Sequence, residues 1–109
     1  MNLQDYQTKS ERTLPDYTGD LKNAISNYSM GLSGETGEVV DLLKKAFHHG
    51  HTLDIFAVEK ELGDVLHYVA GIATMLGLSL DKIAEENIQK LLKRYPEGFN
   101  SHDSIHRTV

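Results

Sequence analysis

The sequence predicts an all-α protein, a helical bundle of four to five helices completed by oligomerisation. Two observations lead there. Apolar residues recur at helical spacing through three long segments and one weaker one, with no stretch that alternates with period two. Turn-forming residues, Leu14-Pro15-Asp16, Thr18-Gly19, His49-Gly50 and Gly77, fall between those segments and not inside them.

The first helix is a weak amphipathic one near residues 2–13, built on Leu3 and Tyr6. Asp20 reads as the N-cap of the second, in which Leu21, Ala24, Ile25, Tyr28 and Leu32 keep the spacing of a buried stripe that Val39, Leu42, Leu43, Ala46 and Phe47 continue. Gly31 and Gly34 mark a possible break in its middle. The third runs from about Leu53 to Leu76 and carries apolar residues on more than one side: Ile55, Val58, Leu62 and Val65, thickened by Phe56, Leu66 and Met75. It is the expected central helix of the bundle. Gly77 reads as its C-cap and Ser79 as the next N-cap. Leu80, Ile83, Ala84, Ile88, Leu91 and Leu92 then form the stripe of a last helix that stops before Pro96. Residues 1–99 read as one domain and residues 100–109 as a loose polar tail. A chain of 109 residues has room for one modest core, which a partner copy would enlarge, so a homodimer or homotetramer is expected.

Composition removes several classes of function. The net charge of −5 argues against a nucleic-acid polymer as partner, because a phosphate backbone selects a basic stripe and none is present. The absence of cysteine excludes disulfides, thiolate metal sites and a thiol nucleophile. No apolar run approaches the ~18 residues of a membrane span, and the N-terminal residues lack a signal core, so a cytoplasmic protein without membrane contact is expected.

Two carboxylate pairs carry the chemistry. Glu35 and Glu38, then Glu61 and Asp64, are each spaced i,i+3, which puts each pair on one helix face. Such pairs are common on solvated faces. Here, however, Gly34, Gly37 and Gly63 lie beside them inside helices, each at a cost of ~1 kcal/mol relative to alanine, as if something bulky approached the backbone. Two such helices side by side would gather four carboxylates, whose repulsion a hard cation would relieve: Mg²⁺, or Mn²⁺. On the last helix Asn87, Lys90 and Arg94, at i, i+3 and i+7, offer an amide, an ammonium and a guanidinium, the donors that hold phosphate oxygens. Beside a carboxylate-bound cation, a polyphosphate is the matching ligand. Lys93 reads as ordinary helix-terminal charge. His48, His49 and His51 fit no metal-site spacing and read as a solvated loop, and His102 and His106 receive no role.

The run from Gly31 to Lys45, Lys60-Glu-Leu-Gly-Asp-Val-Leu-His-Tyr68, and the segment from Asn87 to the closing Arg94-Tyr-Pro-Glu-Gly-Phe99 together resemble the MazG-type nucleoside triphosphate pyrophosphohydrolases of the all-α NTP pyrophosphatase superfamily. The signature is an ExxE pair followed some two dozen residues later by an ExxD pair. The resemblance covers about residues 20–99. It implies that Glu35, Glu38, Glu61 and Asp64 hold Mg²⁺ and that Asn87, Lys90 and Arg94 hold the triphosphate. His67 departs from it, standing where an aromatic or small residue is expected.

The implied reaction is attack of an activated water on the α-phosphorus of a (deoxy)nucleoside triphosphate, giving the monophosphate and pyrophosphate. Glu35 or Glu38 is the candidate to orient that water. Phe47, Tyr28 and Tyr68 are conceivable stacking partners for a base, with plain core the commoner role for each. The alternatives are a phosphoribosyl-ATP pyrophosphohydrolase-like enzyme, from which the Arg94–Phe99 ending leans away, and a nonenzymatic helical interaction module. A di-iron bundle would need Glu-x-x-His motifs, and none occurs.

Overall fold

A computed structural model describes residues 1–109, which form five helices and no strand: α1 (Leu3–Ser10), α2 (Leu21–His48), α3 (Ile55–Met75), α4 (Leu80–Arg94) and α5 (Ser101–Ile105). A 3₁₀ turn, Glu11–Thr13, extends α1. The all-α class is as the periodicity predicts. Each helix begins on a side-chain cap that satisfies otherwise orphaned backbone donors. Asp20 accepts from Asn23 N at 3.0 Å and Ser79 from Lys82 N at 3.3 Å, as expected. Asp54 caps α3 from 3.0 Å at Phe56 N, and Asn2 forms a reciprocal capping box with Asp5. The tail differs from expectation: Asn100 caps α5 through Asp103 N at 2.7 Å, and residues 101–105 are helical.

The break anticipated at Gly31 and Gly34 does not occur, and α2 runs unbroken for 28 residues. Gly31 answers a packing need instead. A Cβ there would overlap the ring of Tyr68 on α3, and reciprocally a Cβ at Gly71 on α3 would overlap the ring of Tyr28 on α2. The two rings meet edge to face, centroids 4.9 Å apart at 73°, so each helix yields its backbone to the other's tyrosine. This double exchange fixes the α2/α3 hairpin. Tyr28 is core, hydrogen-bonded to Thr13 O at 3.2 Å, whereas Phe47 is exposed.

α3 ends on Gly77 (φ +72°), with Leu78 N bonded to Ala73 O at 2.8 Å and Gly77 N to Thr74 O at 3.1 Å, the pairing that closes a helix on a left-handed glycine. The axes of α3 and α4 turn by 107° there. Buried Gln7 locks the corner: its Nε2 donates to Thr74 Oγ1 (3.1 Å) and Leu78 O (2.9 Å), and its Oε1 accepts from Leu80 N (2.7 Å). α1 thus packs on α3 and α4, while α4 rests chiefly on α1 and leaves the hairpin. The bundle is therefore open. Its radius of gyration is 17.0 Å, against about 13 Å for a compact domain of this length. The core is small, with Ala24, Tyr28, Ala70, Ala73, Met75 and Leu80 buried, and Phe56, Ile88, Leu92 and Phe99 at least half exposed. No single helix is long and apolar enough to cross a membrane.

Candidate metal centre

Antiparallel packing of α2 on α3 brings Glu35 against Glu61 and Asp64. One carboxylate oxygen from each lies within 4.8 Å of the others. Glu35 and Glu61 are half-buried and Asp64 is exposed, so the group opens to solvent on one side. The Glu35 carboxyl is held above its ordinary value of 4.5, first by a hydrogen bond with the Glu61 side chain, then by partial desolvation and by the charges of Glu61, Asp64 and Glu38. Two carboxylates that share a hydrogen bond need a proton or a cation between them.

The donor set fits a small hard cation. All three groups are oxygen donors, and oxygens around an octahedral Mg²⁺ lie about 3 to 4 Å apart, within the spread observed. Glu38 is not among the three that converge. It stands one turn farther along α2, where its charge acts on Glu35 and Lys45. Lys45 itself is engaged by Asp41 at 2.8 Å.

Nothing in the chain's own packing explains the neighbouring glycines. Beyond the local backbone of its own helix, no protein atom lies within 4 Å of a Cβ built at Gly34, Gly37 or Gly63, in contrast to Gly31. Gly34→Ala should therefore hold or raise the melting temperature, by up to ~1 kcal/mol of helix propensity, while Gly31→Ala should lower it, because overpacking costs ~1 to 3 kcal/mol. Thermal melts of the two variants check this. If Gly34→Ala keeps its stability yet loses activity, the open backbone serves a ligand. Full activity in that variant would remove the ligand as the reason for the glycine.

The basic row is elsewhere. Asn87 and Lys90 share a shallow depression with Ile83 and Glu86 on α4, and Arg94 Nε donates to Val109 O. By helix rise, Asp64 stands roughly 18 Å before the turn at Gly77 and Asn87 roughly 10 Å beyond the start of α4, on axes that turn by 107°. The row and the carboxylates are not brought together within one protomer.

Sequence reading missed a polar junction one turn beyond Asp64. His67 Nδ1 lies 2.7 Å from Ser10 Oγ, and its Nε2 lies 3.3 Å from both Thr13 Oγ1 and Tyr28 OH. These bonds fasten the N-terminal segment to the hairpin. The only signal was the departure of His67 from the motif, since partners 57 and 54 positions away leave no periodic trace.

Fold and site together define an all-α protein with an oxygen-donor centre suited to a divalent cation. A sequence model of the MazG nucleotide pyrophosphohydrolase domain matches residues 24–99, most of the chain, and the protein belongs to the MazG family. The chain is also similar to the "Gene 37 protein" of Mycobacterium phage L5, with 30% identity over 105 residues that cover 90% of this chain and 92% of the phage protein. No solved structure matches the chain significantly.

Proposed function

We propose that the protein hydrolyses (deoxy)nucleoside triphosphates to the monophosphate and pyrophosphate with Mg²⁺, or Mn²⁺ in its place. The observation that carries this is the convergence of Glu35, Glu61 and Asp64 in a chain of the MazG family. Bound by these three, the cation would neutralise phosphate oxygens and acidify the attacking water. Glu61 and Asp64 project from α3, and Glu35, whose carboxyl the Glu61 hydrogen bond holds above its ordinary value, closes the group from α2. Glu38 is left outside and is the carboxylate available to orient the water. Nothing covalent is required of the chain.

The open shape supports assembly as a homodimer or homotetramer. A second copy would cover the exposed apolar face of α4 and could carry its Asn87, Lys90 and Arg94 toward the first copy's carboxylates. A stable monomer in light scattering at micromolar concentration would contradict this.

A product-resolved assay in ¹⁸O-labelled water tests the reaction. Equimolar monophosphate and pyrophosphate are expected, with the label in the monophosphate. Orthophosphate together with accumulating diphosphate would refute attack at the α-phosphorus.

A further inference from the structure

The N-terminal segment climbs α3 from its C-terminal end. Gln7 is bonded at Thr74, Leu78 and Leu80, Ser10 and Thr13 at His67, and the segment stops one helical turn, about 5 Å, short of the level of Asp64. It precedes residue 24, where the match to the family domain begins. Along this segment, touching α3 at His67 alone, lies an open groove of about 610 Å³ lined also by Met1, Tyr6, Lys9, Ser10, Arg12 and Thr13 and by no acidic residue. In a chain of net charge −5, two cations facing an acid-free groove beside an acidic centre need a reason.

Local ion pairing does not supply one. Lys44 and Lys45 are engaged by Asp41 and Lys82 by Glu86, but neither Lys9 nor Arg12 has a carboxylate within 4.0 Å. Asp5 stands four positions before Lys9, the right spacing for a pair, and is committed to the capping box with Asn2. Glu11 adjoins Arg12 in sequence yet makes no bridge to it. The groove has donors an oxyanion takes, an ammonium, a guanidinium fork and the Tyr6 hydroxyl, on a wall that Ser10, Thr13 and His67 fix through their bonds to one another.

We propose that this groove is an oxyanion subsite that receives the diphosphate portion of the substrate held at the neighbouring carboxylate centre. The diphosphate end is the most highly charged part of a triphosphate, and it is the part on which charge builds when the α-phosphorus is attacked. Lys9 and Arg12 hold it in cis, whereas the α4 row of the same protomer stands away from the centre. The identity of the substrate rests on the function proposed above; the affinity of the groove for diphosphate does not.

Calorimetric titration of the full chain with inorganic pyrophosphate, in excess Mg²⁺, tests the groove. The Lys9→Ala/Arg12→Ala double variant should bind at least tenfold more weakly than the unaltered protein. Arg12→Lys alone should lose less than the double variant, and Lys82→Ala, outside the groove, should match the unaltered protein. In the unaltered protein, pyrophosphate should move the His67 ring resonances. Binding by the double variant within twofold of the unaltered protein overturns the proposal, and so does unaltered protein that binds no pyrophosphate. If the double variant fails to fold, the single variants Lys9→Gln and Arg12→Gln decide: pyrophosphate affinity unchanged in both overturns the subsite, and weakened binding in both upholds it. Pyrophosphate binding that depends on Lys9 and Arg12 in a protein that cleaves no triphosphate would end the proposed reaction and leave the subsite standing. Cleavage without such dependence would do the reverse.

Discussion

Replacing Asp64 or Glu61 by alanine is expected to reduce triphosphate hydrolysis by at least ~10² to 10³, since a bound cation contributes several kcal/mol to stabilising phosphoryl charge and each 1.4 kcal/mol is worth tenfold. Both residues project from α3 into the group that Glu35 completes, so losing either leaves two donors where three converge. Glu38→Gln should fail differently. That residue is not among the three, so the variant should still bind the cation while kcat falls. Isothermal titration with Mn²⁺ alongside steady-state kinetics separates the outcomes. Undiminished cation binding in Asp64→Ala would dismantle the centre as described.

Mg²⁺ should raise the melting temperature by roughly 10 to 20 °C at a concentration a hundredfold above its Kd, because binding to the folded state alone adds about 2.7 kcal/mol and a domain of this size moves several degrees per kcal/mol. The response should depend on pH in a definite sense. Glu35 binds its proton more tightly folded than unfolded, so it favours folding below its ordinary value of 4.5, and that contribution is lost as pH rises through its higher folded value. Metal-free protein should therefore weaken over that interval, and the cation should restore it at neutral pH. Asp16, held low by the Thr18 hydroxyl and backbone, and Asp41, held low by Lys45, act in the other direction and lower on the scale. Their contribution is present above their ordinary value of 3.8 and is lost as pH falls through their folded values. Melting curves with and without Mg²⁺ taken from acidic to neutral pH, repeated with Glu61→Ala, check both signs. A curve indifferent to Mg²⁺ would count against a shared site.

The helices and the acidic motifs were legible because both are local. A period of 3.6 shows in a dozen residues, and i,i+3 carboxylates declare their common face without knowledge of the partner helix. What could not be read depends on who meets whom. Gly31 looked like a break and is a seat for Tyr68, because a glycine in a helix looks the same from sequence whether the chain bends or a ring approaches. Gln7, on a weakly amphipathic helix whose stripe is Leu3 and Tyr6, carries no periodic signal of burial, yet it is buried and hydrogen-bonded across the α3–α4 corner. The acidic motifs called for four converging groups, and carboxylate oxygens of three, Glu35, Glu61 and Asp64, lie together. The fourth, Glu38, stands three positions on along α2 and acts on Glu35 through its charge without joining the oxygens that lie within 4.8 Å of one another. The tail seemed too polar for structure, yet a single cap at Asn100 organises a turn of helix without any core behind it.

The carboxylate centre is confined to one helical hairpin, with Glu35 separated from Glu61 and Asp64 by fewer than thirty positions and a short link between the helices. This bears on how the protein is made. Closing so short a loop costs little chain entropy, and pairings of low sequence separation form early in folding. The three acids resist being gathered by their own repulsion, which a bound cation would remove as the hairpin closes. A nascent chain thus has all three acids once residue 75 has emerged, before α4 exists to dock, and a cation that bound them would act as a template for the hairpin as well as a tenant of the finished fold.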